Sequence, residues 1–183
     1  MTQQVNANAE ASESSTPLDP AARLARAEGI IHRNVLWALG AGIVPFPIAD
    51  LVAIIAVQVK LLKELSDTYG VPFKEDLAKK LVASLLSGLG GLSVGAIVGV
   101  SVAKFIPFVG TTLGVVAVPI VAGACTHATG RVFVMHFESG GTLLDFDPVK
   151  VREHFKREFE AAKEKVTKLQ AEQPAEKPSR SKS

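Results

Sequence analysis

The chain has 183 residues, of which 48% are apolar and 21% are charged, and its formal net charge is +2. This balance shows no basic excess for nucleic-acid binding and no acidic excess of the kind that keeps a chain disordered. A single cysteine, Cys125, excludes a disulfide framework and any multi-cysteine metal site. The length fits one domain with tails.

Both ends of the chain are polar and are predicted to be disordered tails, over residues 1–20 and 171–183. Residues 1–20 hold three acids and no Lys or Arg, so they cannot bury enough apolar surface to offset the entropy of ordering. Neither end shows a secretory signal or a lipidation motif. We therefore expect both termini to lie in the cytoplasm.

Two helices are predicted first, over residues 20–42 and 47–69. Asp19 can cap the first helix, and Gly70 is a natural stop for the second. Both carry an apolar stripe, which predicts an amphipathic antiparallel pair. The connecting turn and the start of the second helix carry Pro45, Pro47 and Asp50.

The middle of the chain holds two long uncharged runs, residues 81–103 and 105–130, separated by Lys104. A helix over the first run would be roughly 34 Å long, and a bilayer core is about 30 Å thick. With Pro107 at the turn, the two runs predict an apolar helical hairpin inserted in a membrane. The second helix is expected to kink at Pro119 and to continue to residues 140–141.

Small residues recur at every fourth position along this predicted hairpin. The positions are Ser87, Gly91, Gly95, Gly99 and Ala103, followed by Gly110 and Gly114. In water each glycine would cost a helix about 1 kcal/mol, whereas in lipid small residues allow helices to pack closely. The pattern predicts close packing of the hairpin arms or of two copies, and so a homo-oligomer. The alternative is the glycine-rich core of a soluble bundle.

A last amphipathic helix is predicted over residues 147–170, with Asp147 as its cap. A narrow apolar stripe runs along an otherwise charged helix, so it should lie on another part of the protein or on a partner. The residues predicted to bind a partner are Phe155, Phe159 and Val166.

The sequence indicates no catalytic or metal chemistry and no cofactor. It lacks a phosphate-binding loop and a nucleophile elbow. Cys125 and His127 are two positions apart, so they point apart on a helix, and no further ligands converge on them. Asp50 is interpreted as a first-turn acid favoured by the helix dipole. A proton or small-molecule pathway through Asp50 and His127 is a third, weaker hypothesis.

Several short motifs resemble the bacterial domain of unknown function 697 family, which includes YcjF-like membrane proteins and occurs alone or fused to small GTPases. The resemblance covers roughly residues 25–140. Its motifs are Pro45, Pro47 and Asp50; Tyr69 and Gly70; Ile106, Pro107 and Gly110; and Thr126 and Gly130. It implies an all-helical, membrane-associated module that sometimes works with a GTPase, and it implies no catalytic residues. This chain has no GTPase domain, so such a partner would act in trans.

These observations predict an all-α, non-enzymatic protein of the bacterial inner membrane, with a membrane-associated domain over residues 21–140. Lys79, Lys80 and Arg131 flank the hairpin, which agrees with both termini being cytoplasmic. The expected role is scaffolding, membrane shaping or partner recruitment. The expected partners are lipid, further copies of the chain and a GTPase, without nucleic acid. The alternative is a soluble or peripheral all-α interaction domain.

Overall fold

A computed structural model describes residues 19–41, 47–88 and 110–172, and within these ranges it contains five helices and no strand. The helices are α1 (Pro20–Ala41), α2 (Pro47–Tyr69), α3 (Glu75–Gly88), α4 (Gly110–Glu138) and α5 (Arg152–Glu172). The predicted all-α class is confirmed.

Local chemistry sets the ends of α1 and α2 close to where the sequence predicts them. The Asp19 carboxylate accepts a hydrogen bond from the Ala21 backbone N–H at 3.2 Å, which caps α1. Gly70 has φ of 65°, a left-handed conformation that suits glycine. The N–H of Val71 then donates to the Ser66 carbonyl at 2.9 Å and closes the end of α2. The α1–α2 pair is antiparallel, as expected, because Arg33 pairs with Glu64 while Ala38 packs in one cluster with Ile54.

The central element is α4, which contacts each of the other four helices. It runs antiparallel to α1, because Gly130 lies beside Ile31 while Gly123 lies beside Leu39. It also runs antiparallel to α5, because Val166 contacts Gly123 while Glu158 lies near Arg131. The bundle therefore has a Trp37 end, where α1 finishes and α2 and α4 begin, and a Glu138 end, where α1 begins and α2 and α4 finish.

The second half of α4 forms the core of this bundle. Most of its side chains from residue 119 to residue 137 are buried, including the fully buried Phe133. Five polar side chains are also buried between α1, α2 and α4, namely Asn34, Gln58, Ser66, Thr126 and Thr129. The Gln58 amide donates to the Thr126 hydroxyl at 3.1 Å, so part of this polar content is paired across helices.

The hairpin helices differ from the prediction at their beginnings. Helix α3 starts at Glu75, six residues before the expected 81, because Glu75 and Asp76 supply an acidic first turn that favours a helix start. It is described as far as Gly88, so the rest of the expected first arm lies outside the described residues. Helix α4 is described from Gly110 and ends at Glu138, close to the expected stop.

The predicted membrane span finds no support in the part of the chain that the structure describes, where no helix combines the length and hydropathy that crossing a bilayer requires. The expected inserted arm over residues 105–130 needs a correction over residues 119–130. These residues are largely buried within the chain's own bundle. The reason is that an uncharged helix suits a protein core as well as a bilayer, and sequence alone does not separate the two.

The last helix begins later and ends later than expected. Asp147 does accept a hydrogen bond from the Val149 N–H at 2.9 Å, but it stabilises a turn that precedes the helix. Helix α5 then runs over Arg152–Glu172, where residues 147–170 were predicted. At the other end of the chain, the first helix begins at Pro20, as the helix prediction over residues 20–42 has it.

Candidate functional site

Most of the predicted small-residue ladder lies outside the described residues, as do two of the predicted turn prolines. These outlying positions are Gly91, Gly95, Gly99 and Ala103 of the ladder, and Pro45 and Pro107 of the turns. Ser87 is exposed on α3, where its hydroxyl donates to the Ser84 carbonyl at 2.8 Å. Gly110 and Gly114 lie in the first turns of α4, and Pro47 and Asp50 lie in the first turn of α2. Ladder packing stays a prediction.

Close helix packing does occur, at two glycines of α4 that the ladder did not include. A Cβ atom on Gly130 would lie 2.5 Å from Ile31 Cγ1, and one on Gly123 would lie 2.8 Å from Val166 Cγ1. Both distances are too short for real carbon contacts. The two glycines are seven residues apart, a spacing that keeps them on similar faces of a helix and could have indicated this role.

The residues predicted to bind a partner are buried in the chain's own core. Phe155 is 0% exposed, Phe159 4% and Val166 2%. They belong to one apolar cluster with residues of α4. In this conformation the stripe lies on another part of the protein, which was one of the two alternatives. Partner binding through it stays a prediction and would require α5 to leave the core.

A cluster at the Glu138 end joins three helices. The Arg23 guanidinium donates to both carboxylate oxygens of Glu138, at 2.9 and 3.3 Å, and lies 5.1 Å above the Tyr69 ring. The Tyr69 hydroxyl donates to the same carboxylate at 2.7 Å. Burial and this hydrogen bond raise the pKa of Tyr69 to about 12, while the bonds from Arg23 and Tyr69 lower the pKa of Glu138.

A second cluster joins α1 to α2. The Glu64 carboxylate accepts hydrogen bonds from Asn34 at 2.7 Å, from Lys60 at 2.7 Å and from Arg33 at 3.0 Å. Burial alone would raise the pKa of Glu64, but the three donors outweigh it and the pKa is lowered. The Asn34 side chain is fully buried, so this bond also satisfies a polar group inside the core.

A third ionic contact joins α1, α4 and α5. Arg131 of α4 pairs with Glu28 of α1, and its Nε atom lies 4.0 Å from a carboxylate oxygen of Glu158 on α5. Arg131 and Glu28 are 103 positions apart in the chain. Sequence reasoning missed these contacts, since no local spacing brings such partners together.

The described residues contain no cluster of three or more His, Cys, Asp or Glu side chains placed to hold a metal ion. The one thiol, Cys125, is buried on α4, which shields it from a substrate. His127 is half-buried on the same helix, while the side chain of Asp50 lies outside the described set. The ionic clusters join helices to one another, which is the arrangement of structural contacts.

An open, largely apolar groove of about 640 Å³ lies between α1 and α2, toward the Trp37 end. Its lining residues are Arg33, Leu36, Trp37, Gly40 and Val57. Trp37 is 61% exposed, which is unusual for the largest apolar side chain. Trp37 falls within the first predicted helix, residues 20–42, where no motif in the sequence singles it out.

The fold and these contacts define a small helical bundle that has an apolar core and ionic contacts between its helices. The chain belongs to the family described as a domain of unknown function, DUF697, which matches residues 8–164. It is 42% identical over 149 residues to magnetosome membrane protein 22 of Magnetospirillum gryphiswaldense, covering 81% of this chain and 76% of that protein. No solved protein structure matches the chain. The resemblance drawn from the sequence is confirmed.

Proposed function

We propose that this chain is a non-enzymatic, membrane-associated helical protein that acts as a scaffold or recruits partners at the membrane. The observation that carries the proposal is the 42% identity to a magnetosome membrane protein over most of both chains. The uncharged residues 81–103 and 105–118 support it, because a long run of this apolar composition favours insertion in lipid.

The non-enzymatic part of the proposal draws support from the three ionic clusters. Each cluster pairs a carboxylate with bases or a hydroxyl on neighbouring helices. Catalytic groups are usually placed in a cleft, with a pKa suited to proton transfer near neutral pH. Here the pKa of Tyr69 is raised and those of Glu64 and Glu138 are lowered. All three pKa values therefore lie farther from pH 7 than the ordinary values of these groups.

Alkaline carbonate extraction of a bacterial membrane fraction tests the membrane association. We expect the protein to be found with membranes in a low-salt wash and to stay in the pellet after carbonate. Its release by carbonate alone would favour the peripheral alternative. Recovery in the soluble fraction before any extraction would contradict membrane association altogether.

The second candidate is the peripheral or soluble all-α interaction domain. The observation that favours it is the burial of residues 119–130 within the bundle, together with the absence of a spanning helix among the described residues. It predicts a monodisperse protein in detergent-free buffer. The same extraction separates the two candidates.

Self-association through the small-residue ladder is part of the proposal. Gly95→Leu should weaken cross-linking between copies in membranes, since a large side chain keeps helices apart. Ala96→Leu is a matched control, because it adds the same side chain one position away from the ladder. Equal cross-linking in both variants would contradict the ladder.

The proposed location is the bacterial inner membrane with both termini in the cytoplasm. Reporter fusions at each end, of a kind active on only one side of the membrane, should both report the cytoplasm.

A GTPase acting in trans is the proposed class of protein partner. Co-purification with a GTPase that depends on the bound nucleotide would support this, and equal recovery with GDP and a GTP analogue would contradict recruitment by the active state.

A further inference from the structure

We infer that the α1–α2 groove around Trp37 is the surface by which this bundle docks on an anionic bilayer, with Trp37 placed at the lipid–water interface. The inference rests on the proposed membrane association and adds to it the residue and the face that meet the lipid. It is carried by the exposure of Trp37, by the apolar lining of its groove and by the position of the nearest charges.

The first observation is the surface itself. Trp37 is exposed on α1 beside Leu36, which is 36% exposed, and Val57 of α2 also lines the groove. A half-exposed indole beside aliphatic side chains is costly in water but suits the membrane interface. Among the described residues that line the groove, none belongs to the strongly charged helix α5.

The second observation is the order of charges along the helices. From the Trp37 end, residues 34–41 of α1 carry no fixed charge, and the first one met is Arg33. On α2 the first charge after Asp50 is Lys60, nine uncharged residues later, and on α4 it is Arg131. Apart from Asp50 in the first turn of α2, the first charge met along each of these three helices from the Trp37 end is therefore a base.

Arg33 and Lys60 share the single carboxylate of Glu64, so these three side chains keep a net charge of +1, which complements an anionic lipid surface. Long basic side chains can extend from an apolar segment to the headgroups, where each is worth about 1 kcal/mol near an anionic membrane. Arg33 is one helical turn from Trp37 and its side chain is 55% exposed, so it lies beside the groove. Its acidic partner Glu64 follows Lys60 by one turn on α2, farther from the Trp37 end.

The experiment uses the full chain and its own fluorescence, since Trp37 is the single tryptophan. The protein is added to phosphatidylcholine vesicles with and without phosphatidylglycerol, and bound protein is collected by flotation. We expect stronger binding with phosphatidylglycerol, a blue shift of the Trp37 emission, protection from acrylamide and quenching by lipids brominated on their acyl chains.

Two variants sharpen the result. Trp37→Glu should weaken vesicle binding by about tenfold or more. The free energy gained by burying one large apolar side chain corresponds to at least a tenfold change in the dissociation constant. The double variant Trp37→Phe, Leu144→Trp is the matched control. Leu144 is 75% exposed in the loop at the Glu138 end, so its replacement should bind vesicles while its tryptophan stays accessible to acrylamide.

Each outcome has a distinct meaning. If the wild-type protein floats with vesicles while Trp37 stays accessible to acrylamide, the assignment of the groove as the docking surface is wrong. Membrane association itself would still be supported. A blue shift that appears without vesicles and grows with protein concentration would assign the groove to a second copy and also overturn the inference. Absence of flotation would contradict the proposed function and the inference together.

Discussion

At the scale of single residues, the glycines of α4 allow neighbouring side chains to come closer than a Cβ atom permits. Gly130 accommodates Ile31 of α1, and Gly123 accommodates Leu39 and Val166 from two different helices. The same residue type has no such role at Gly29 or Gly40 of α1, where a Cβ would meet nothing within 4 Å. The contribution of each glycine therefore depends on what faces it.

Gly130→Ala should destabilise the bundle by about 1–3 kcal/mol, because the added methyl group overlaps the inner carbon of the Ile31 side chain and the core is already filled. The free energy of unfolding from urea titration measures this. Gly29→Ala is the matched control and should stabilise by about 0.4–1 kcal/mol, since it removes backbone freedom from the unfolded chain without a clash. Equal effects in the two variants would contradict the close approach at Gly130.

The single tyrosine reports on the cluster at the Glu138 end. Its phenol should titrate with a pKa of about 12 in the folded protein, followed by phenolate absorbance, because it is partly buried and donates to Glu138. Glu138→Gln should lower this pKa toward the ordinary value of about 10, and urea-unfolded protein should show that ordinary value. A folded-state pKa near 10 in the wild type would mean that the hydrogen bond is absent.

At the scale of elements, α5 illustrates how a charged helix becomes part of the core. Its mean composition is polar, yet a narrow stripe of Phe155, Phe159, Ala162 and Val166 is buried against the rest of the bundle. The exposed side carries ion pairs between residues three or four apart, such as Lys168 with Glu164. Surface pairs of this kind are worth only a few tenths of a kcal/mol, so the apolar stripe holds α5 in place.

Phe155→Ala should therefore lower the free energy of unfolding by about 3–5 kcal/mol, since it removes a fully buried aromatic ring. Val149→Ala, just before the helix and 67% exposed, is the control and should change stability by no more than about 0.5 kcal/mol. Denaturant unfolding of both variants provides the comparison. If Phe155→Ala kept full stability but lost a binding partner, the stripe would be an interface and not core.

At the scale of the whole molecule, three ionic clusters join helices to one another, and two of them include α4. The Glu138 cluster joins α1, α2 and α4, the Glu64 cluster joins α1 and α2, and Arg131 joins α1, α4 and α5. Two of these depend on a carboxylate whose folded-state pKa lies below its ordinary value. The stability of the bundle is therefore linked to pH on the acidic side.

A lowered folded-state pKa means that the unfolded chain binds protons more readily than the folded one. The contribution of Glu64 and Glu138 is then fully present above the ordinary glutamate pKa of about 4.5 and is lost as pH falls through the lowered values. Urea unfolding at a series of pH values should show stability falling in this acidic range. The double variant Glu64→Gln, Glu138→Gln should reduce the slope, and an unchanged slope would contradict the linkage.

The sequence by itself determined the class of fold and the bounds of α1 and α2. Asp19, Pro20, Pro47 and Gly70 are local signals, and each acts on backbone groups within a few residues. The family motifs were also visible in the sequence. What the sequence left open was where the uncharged residues of α4 are buried, because a run without charge satisfies a bilayer and a protein core equally well.

Only the tertiary structure decided that residues 119–137 are largely covered by neighbouring helices, and that Gly123 and Gly130 are the points of closest approach. It also decided that Phe155 is buried while Trp37 is exposed, although both are aromatic side chains on amphipathic helices. The physical reason is that burial and ion pairing depend on contacts between residues far apart in the chain. Such contacts, like Arg131 with Glu28, leave no mark in local spacing.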